Sequence, residues 1–344
     1  MAKKAKAVQA KLIANPGAGK GTEFNKNLKL AVECLDHLGV QVDVALAKPK
    51  EAATPIAEKA VKEGYKIVLA MGGDGTIEAV MRGLIGSKVR LGILPFGTEN
   101  NVAKSLGIPE KMEDACGLIA QNNGRKVDIG QIKLKGGTKT YFFELAVVGL
   151  VAALYPPAQK ILKGQITKIK DAAETLIQHE GNSKVFMKLD EDSRIEAETM
   201  LVVISNTPMF GANFLVAPTA SLEDGLLDVS VYPNFTKAEL MAYYASIMNK
   251  GFSENPKVQH YRVSNFALKS KPALDVNADA IDLGQGNLKI KCLAGALRVL
   301  APESSGAPNA IAKEPVIEMP APLAPPTPSE QRAVASVLSG QKEH

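Results

Sequence analysis

At 344 residues the chain exceeds what one hydrophobic core usually organises, so two domains are expected. Apolar residues make up 46% and charged residues 22%, a globular balance that excludes disorder over most of the length. The net charge of +5 would assist contact with nucleotide, anionic lipid or nucleic acid but is too small to choose among them.

No run approaches the roughly 18 consecutive apolar residues of a membrane span, and the lysine-rich start lacks an apolar signal core, so the expected location is the cytoplasm. Cys34, Cys116 and Cys292 lie far apart among apolar neighbours and read as free thiols. With the histidines equally scattered, the spacing a zinc site needs is missing.

The first predicted strand is Lys11 to Asn15. It runs into Asn15-Pro16-Gly17-Ala18-Gly19-Lys20-Gly21-Thr22, and Phe24, Leu28, Ala31, Leu35 and Leu38 then recur at helical spacing until Gly39. This loop resembles a Walker A loop, with Lys20 as the phosphate lysine, but that pattern wants glycine where Ala14 stands. A P-loop phosphotransferase therefore stays open as an alternative. Val40, Val42, Val44 and Leu46 form one face of a second strand, and a helix follows over residues 51 to 63.

The runs Ile67 to Met71 and Leu91 to Leu94 are short, continuously apolar and end in glycine-containing loops, as buried parallel strands do. After the first comes Gly72-Gly73-Asp74-Gly75-Thr76 and a helix over Ile77 to Leu84. Glycines there allow a sharp turn and let backbone N–H groups approach a phosphate, while the helix start adds positive potential. Thr76 suits a helix cap, and Asp74 can orient a metal-bound water or a ribose hydroxyl. After the second strand comes Pro95-Phe96-Gly97-Thr98-Glu99-Asn100-Asn101 and a helix from Val102 to Leu106. The three loops fall along the carboxyl edge of one sheet, where ligands of open α/β sheets bind. Residues 8 to 130 thus read as a doubly wound α/β nucleotide-binding domain.

Beyond residue 130 a hairpin is expected, with Gln131 to Lys135, a Gly136-Gly137 turn and Thr140 to Val148 as its parts. One long helix, Ala158 to Gln178, then interrupts short strands that continue to Leu300, so residues 131 to 302 read as mainly antiparallel β. The apolar stripe of that helix, flanked by lysines, suits either core packing or a bilayer surface. Residues 303 to 344 are rich in proline and alanine and read as a disordered tail.

Together these segments resemble the bacterial diacylglycerol kinase-like lipid kinases, relatives of sphingosine kinases and, more remotely, of NAD kinases. The resemblance covers residues 10 to 302. It rests on Asn15, Pro16, Gly17 and Gly19; on Gly72 to Thr76; on Leu91 to Pro95 with Gly97, Thr98 and Asn100; and on Val127-Asp128-Ile129-Gly130. Downstream it rests on Ser205-Asn206, Gly211, Ala217 to Ala220, Glu223 to Asp228 and Gly295 to Pro302.

The resemblance implies an N-terminal α/β domain followed by a β-sandwich-like domain. It also implies ATP and Mg2+ as cofactors and γ-phosphoryl transfer to a lipid alcohol such as diacylglycerol, with peripheral membrane contact and no nucleic-acid partner. A monomer and a homodimer both remain open. The implied metal ligands are Asp74, Asp128 and Asp224, with Asp74 and Asp279 as the catalytic pair. Three positions depart from the family pattern: Asn101 replaces an aspartate, Ala79 replaces a glutamate with Glu78 one position earlier, and Asn277-Ala278-Asp279 stands where the family has Asp-Gly-Glu. The family's glutamate is its presumed general base, and Asp279 is shorter by one methylene. A regulatory homologue that binds nucleotide without turnover is the further alternative.

Overall fold

The computed structural model describes residues 8–19, 23–154, 181–191, 193–210, 214–250, 255–279 and 281–303. The predicted helix over 158 to 178, Lys20 and the tail from residue 304 lie outside the described residues.

The chain begins with parallel strands alternating with helices: β1 (Val8–Ala14), α1 (Phe24–His37), β2 (Val40–Leu46), a 3-10 turn (Lys50–Ala52), α2 (Ala53–Lys62), β3 (Ile67–Gly72), α3 (Asp74–Leu84), β4 (Arg90–Pro95), α4 (Asn101–Ser105) and α5 (Met112–Gln121). The strands lie side by side in the order β2-β1-β3-β4, all parallel. Helices cover both faces, which is why β3 is buried at every residue and β4 at every residue but its first. Strand β2 pairs only with β1 and forms the sheet's edge, and its predicted apolar face is only partly covered: Val40 is buried, while Val44 and Leu46 are exposed. Helix α1 turns Phe24, Ala31 and Leu35 inward, the spacing one helical face requires.

The second region is antiparallel: β5 (Gly124–Leu134), β6 (Lys139–Phe142), β7 (Leu145–Gly149), β8 (Ser183–Leu189), β9 (Ser193–Ser205), the short pair β10 (Met209–Phe210) and β11 (Phe214–Leu215), β12 (Leu227–Pro233), α6 (Lys237–Lys250), β13 (Gln259–Val263), β14 (Asn265–Lys271), β15 (Asp275–Ala278), β16 (Ile281–Gln285) and β17 (Leu288–Leu300). The fold is therefore α/β followed by a mainly antiparallel, β-sandwich-like part. The inner faces of these strands enclose a core that includes Ile132, Phe142, Val148, Met187, Ile204, Val229, Phe266 and Ile290.

The expected hairpin is shorter than its sequence suggests. β6 pairs with β5, but the chain breaks after Phe142, and β7 leaves to pair with β9 and β15. The cause is Asp279, whose carboxylate takes the amides of Phe143, Glu144 and Leu145. Helix α6 interrupts the strand series at a place the sequence was read as β.

Strand β17 serves both regions. Its first half pairs antiparallel with β14, its last residues run parallel to β4, and β5 accompanies it on both sides of an irregularity between Leu293 and Leu297.

Candidate active site

Three loops meet at the carboxyl edge of the parallel sheet, and glycine is what lets them meet. A Cβ on Gly97 would stand 2.4 Å from the Gly73 Cα, and one on Gly19, whose φ is +57°, would stand 3.0 Å from the Phe96 carbonyl oxygen. A Cβ on Gly72 would fall 2.6 Å from that of Thr76. A side chain at Gly72 or Gly97 would force its neighbour to move, and one at Gly19 would be strained by the positive φ.

Hydrogen bonds then fix the loops to one another. Asn15 Nδ2 donates to Thr76 Oγ1 at 2.9 Å, and Asn15 Oδ1 accepts from Gly17 N at 2.9 Å. Asn100 adopts a left-handed conformation with φ 52° and accepts from Gly97 N at 2.8 Å, shaping the third loop from within. Asp74 Oδ1 accepts from Val102 N at 2.9 Å, so this carboxylate ties the start of α3 to the start of α4. Pro16 is half-buried at the turn, while Gly17, Gly19 and Thr98 face solvent. Thr76 thus bonds to Asn15 through its side chain rather than capping α3, since no side chain caps that helix.

Lys50, on the 3-10 turn before α2, overlies the middle glycine: its Nζ is 2.7 Å from where a Cβ on Gly75 would stand. A side chain there would displace Lys50 from the glycine-rich turn. The sequence did not single out Lys50, because its role depends on a turn that packs across the sheet edge.

Behind α3 lies a buried acidic cluster. Carboxylate oxygens of Glu78, Glu144 and Asp279 all come within 4.8 Å of one another. Arg82 NH2 donates to Glu78 Oε2 at 3.3 Å, one turn along the helix. Asp279 Oδ2 accepts from Phe143 N at 2.8 Å, and its Oδ1 accepts from Glu144 N at 3.0 Å and Leu145 N at 3.1 Å. Glu144 Oε1 is buried and has no hydrogen-bond partner.

Burial pushes Glu78 up to about 8, reinforced by the charge of Asp279 and opposed by Arg82. Glu144 is pushed well above the usual carboxylate range by burial and then by Asp279 and Glu78. Burial also raises Asp279, to about 6, against the pull of its three backbone donors. Burial thus raises all three carboxyls, repulsion adds to this at the two glutamates, and only Asp279 has backbone donors that favour its ionised form. A carboxylate offers about four lone-pair positions. Three on Asp279 are occupied, so one position, on Oδ2, remains to accept a proton.

Asp279, just after β15, is 2% exposed. Its left-handed backbone, φ 48°, already turns the side chain inward. Asp128 and Asp224 are placed elsewhere. The two oxygens of Asp128 accept from Gly225 N at 2.6 Å and Gly295 N at 2.7 Å, while Asp224 pairs with Arg262 and accepts from Leu226 N at 2.9 Å. Asp74, by contrast, lies close enough to Glu78 and Glu144 to act on both electrostatically. Glu144 was legible in principle, as the single charge in the apolar run Phe142 to Val148.

Two segments of the chain match known protein families. Residues 9–132 match the family model of the diacylglycerol kinase catalytic domain, and residues 160–301 match that of the YegS C-terminal NAD kinase beta sandwich-like domain. Over 289 residues the chain is 28% identical to a Salmonella gallinarum protein named "Probable lipid kinase YegS", covering 83% of this chain and 94% of that one. It is 27% identical over 278 residues to a Staphylococcus aureus diacylglycerol kinase, covering 79% and 85%. A crystal structure of a diacylglycerol kinase from Bacillus anthracis superposes with a TM-score of 0.68 at 22% identity over 87% of this chain and 99% of that one, a likeness of fold.

Proposed function

Because the chain belongs to the bacterial diacylglycerol kinase-like lipid kinase family, we propose that it transfers the γ-phosphoryl group of ATP to the hydroxyl of a lipid alcohol, of which diacylglycerol is the model acceptor. The observation that carries this reading is the placement of three interlocked glycine-containing loops beside a buried carboxylate cluster in which Asp279 is held by three backbone amides.

The loops bring glycine backbone and the start of α3 to one surface, which suits the triphosphate, and Lys50 adds a cation over the same turn. Phosphoryl transfer asks for positioning and charge stabilisation more than for covalent chemistry. Asn15, Thr76, Asn100 and Asp74 supply the positioning by holding the loops in one arrangement. Asp279 Oδ2 takes the acceptor hydroxyl's proton as the new O–P bond forms and the bond from the γ-phosphorus to the bridging oxygen breaks, releasing ADP; the three backbone donors, one on Oδ2 and two on Oδ1, hold the carboxylate in place.

The residues present fit a divalent cation. Hard oxygen donors converge, and the unpartnered oxygen of Glu144 is a buried acceptor without a donor. Glu78 and Glu144 would hold Mg2+, with Asp74 nearby, and the ion would supply positive charge against the phosphoryl oxygens.

The test is transfer from labelled ATP, with magnesium, to a panel of diacylglycerol, sphingoid and other lipid alcohols. Asp279→Asn is expected to lower transfer about 100- to 10,000-fold while leaving ATP affinity by calorimetry unchanged. Asp279→Glu is expected to lower it too, because the longer side chain cannot keep the three amides. An Asp279→Asn protein as active as the wild type removes the base assignment. A wild type that binds ATP and phosphorylates no lipid alcohol leaves the nucleotide-binding regulator as the better reading.

A further inference from the structure

The outward face of the antiparallel region carries a row of cations that the fold places side by side. In register, Lys139 of β6 stands opposite Lys133 of β5, Lys133 opposite Lys289 of β17, Lys289 opposite Ala267 of β14, Ala267 opposite Lys188 of β8, and Lys188 opposite Arg194 of β9. Directly opposed residues of antiparallel strands share a face, and the intervening residues Ile132, Ile290, Phe266 and Met187 point into the core. Strands about 4.8 Å apart spread these five charges over roughly 24 Å.

Like charges placed directly opposite one another oppose strand pairing. Lys133 has such a neighbour on both sides. Among the described residues none of the five cations has a carboxylate within ion-pair distance; the nearest ion pair on this face, Lys184 with Glu196, lies on a flanking rung. Lys291 and Lys269 extend the positive face on either side of the row, and all of these side chains are exposed. Phe186, two residues from Lys188, is the one large apolar side chain exposed among them, at 39%.

We propose that this rung of lysines is the surface by which the protein docks on an anionic lipid bilayer. The inference rests on the lipid-kinase reading, since an acceptor dissolved in a bilayer must be approached from its surface. Charge complementarity carries it. The row of exposed cationic side chains, with Asp190 and Glu191 as the acidic residues at its edge, matches a layer of phosphate headgroups, whose potential is felt within a Debye length, and Phe186 is exposed beside it. Single-stranded nucleic acid would instead call for a series of aromatic platforms along a groove, and this face exposes one.

The experiment is sedimentation of the full chain with vesicles of phosphatidylglycerol and phosphatidylcholine in equal amounts, against phosphatidylcholine alone. The wild type is expected to bind the anionic vesicles and to be released by salt. Lys133→Glu with Lys289→Glu is expected to lower that partition at least about tenfold. Lys133→Gln with Lys289→Gln, which cannot fail through new ion pairs, should lower it about threefold or more. Equal partition of wild type and both double variants overturns the proposal. So does a single-stranded oligonucleotide that binds the wild type more tightly than the anionic vesicles do and is lost in the same variants. Transfer to a short-chain diacylglycerol in free solution, measured on the same proteins, is expected to be unchanged. Should the wild type phosphorylate no such acceptor, the kinase reading fails while the vesicle result stands on its own.

Discussion

Asp279 shows how surroundings fix a single carboxylate. Its backbone is left-handed, a conformation aspartate tolerates better than longer or branched residues, and its short side chain reaches three consecutive amides. The length of the aspartate side chain therefore fits the spacing of those amides. The same crowding sets the pH dependence of Glu78. Its folded-state value is raised from 4.5 to about 8, so the native state holds this proton more tightly than the unfolded chain does. Stability from this group is fully present below about 4.5 and is lost as pH rises toward about 8. Glu78→Gln is expected to flatten that fall in denaturation midpoint, and added Mg2+ should raise the midpoint at the alkaline end more in the wild type than in the variant. Identical pH profiles for the two proteins would show that Glu78 does not carry the shift.

At the scale of elements, α6 and the split hairpin are where pattern reading and structure diverge. The start of α6 is a capping box: Glu239 N donates to Thr236 Oγ1 at 3.1 Å, and Thr236 N donates back to Glu239 Oε2 at 2.8 Å. That signature was available in Thr236-Lys237-Ala238-Glu239, but the strands on either side masked it. The helix buries Leu240, Tyr243 and Ile247 in a small core with Tyr232 and Phe235. Thr236→Ala is expected to cost about 1 kcal/mol of stability, read by urea denaturation. The hairpin after β5 could not be bounded from sequence, because what ends it is a carboxylate more than a hundred positions away. Alternation along β5, β8 and β17 shows that their lysines face outward; that they stand on one rung follows only from register.

For the whole molecule the joint is β17, and Asp128 holds its irregularity. One oxygen accepts from Gly295 within the bulge and the other from Gly225 on the turn before β12, so a single carboxylate joins segments far apart in the chain. Asp128→Ala is expected to lower global stability by about 2–3 kcal/mol, measured by chemical denaturation, since a buried charged acceptor with two donors is removed. If its role is instead to hold metal, the variant should keep its midpoint and lose the response to Mg2+. The sequence by itself determined the parallel strands, the glycine-containing loops at their ends and the α/β-then-β order, because apolar periodicity and glycine placement are local requirements of those elements. Only the tertiary structure decided that Glu78, Glu144 and Asp279 share one buried point, that Lys50 rests on Gly75, and that five cations line one rung. Each of these depends on strand register or on helix packing across a sheet, and those are set by burial of the whole core, to which no short stretch of sequence has access.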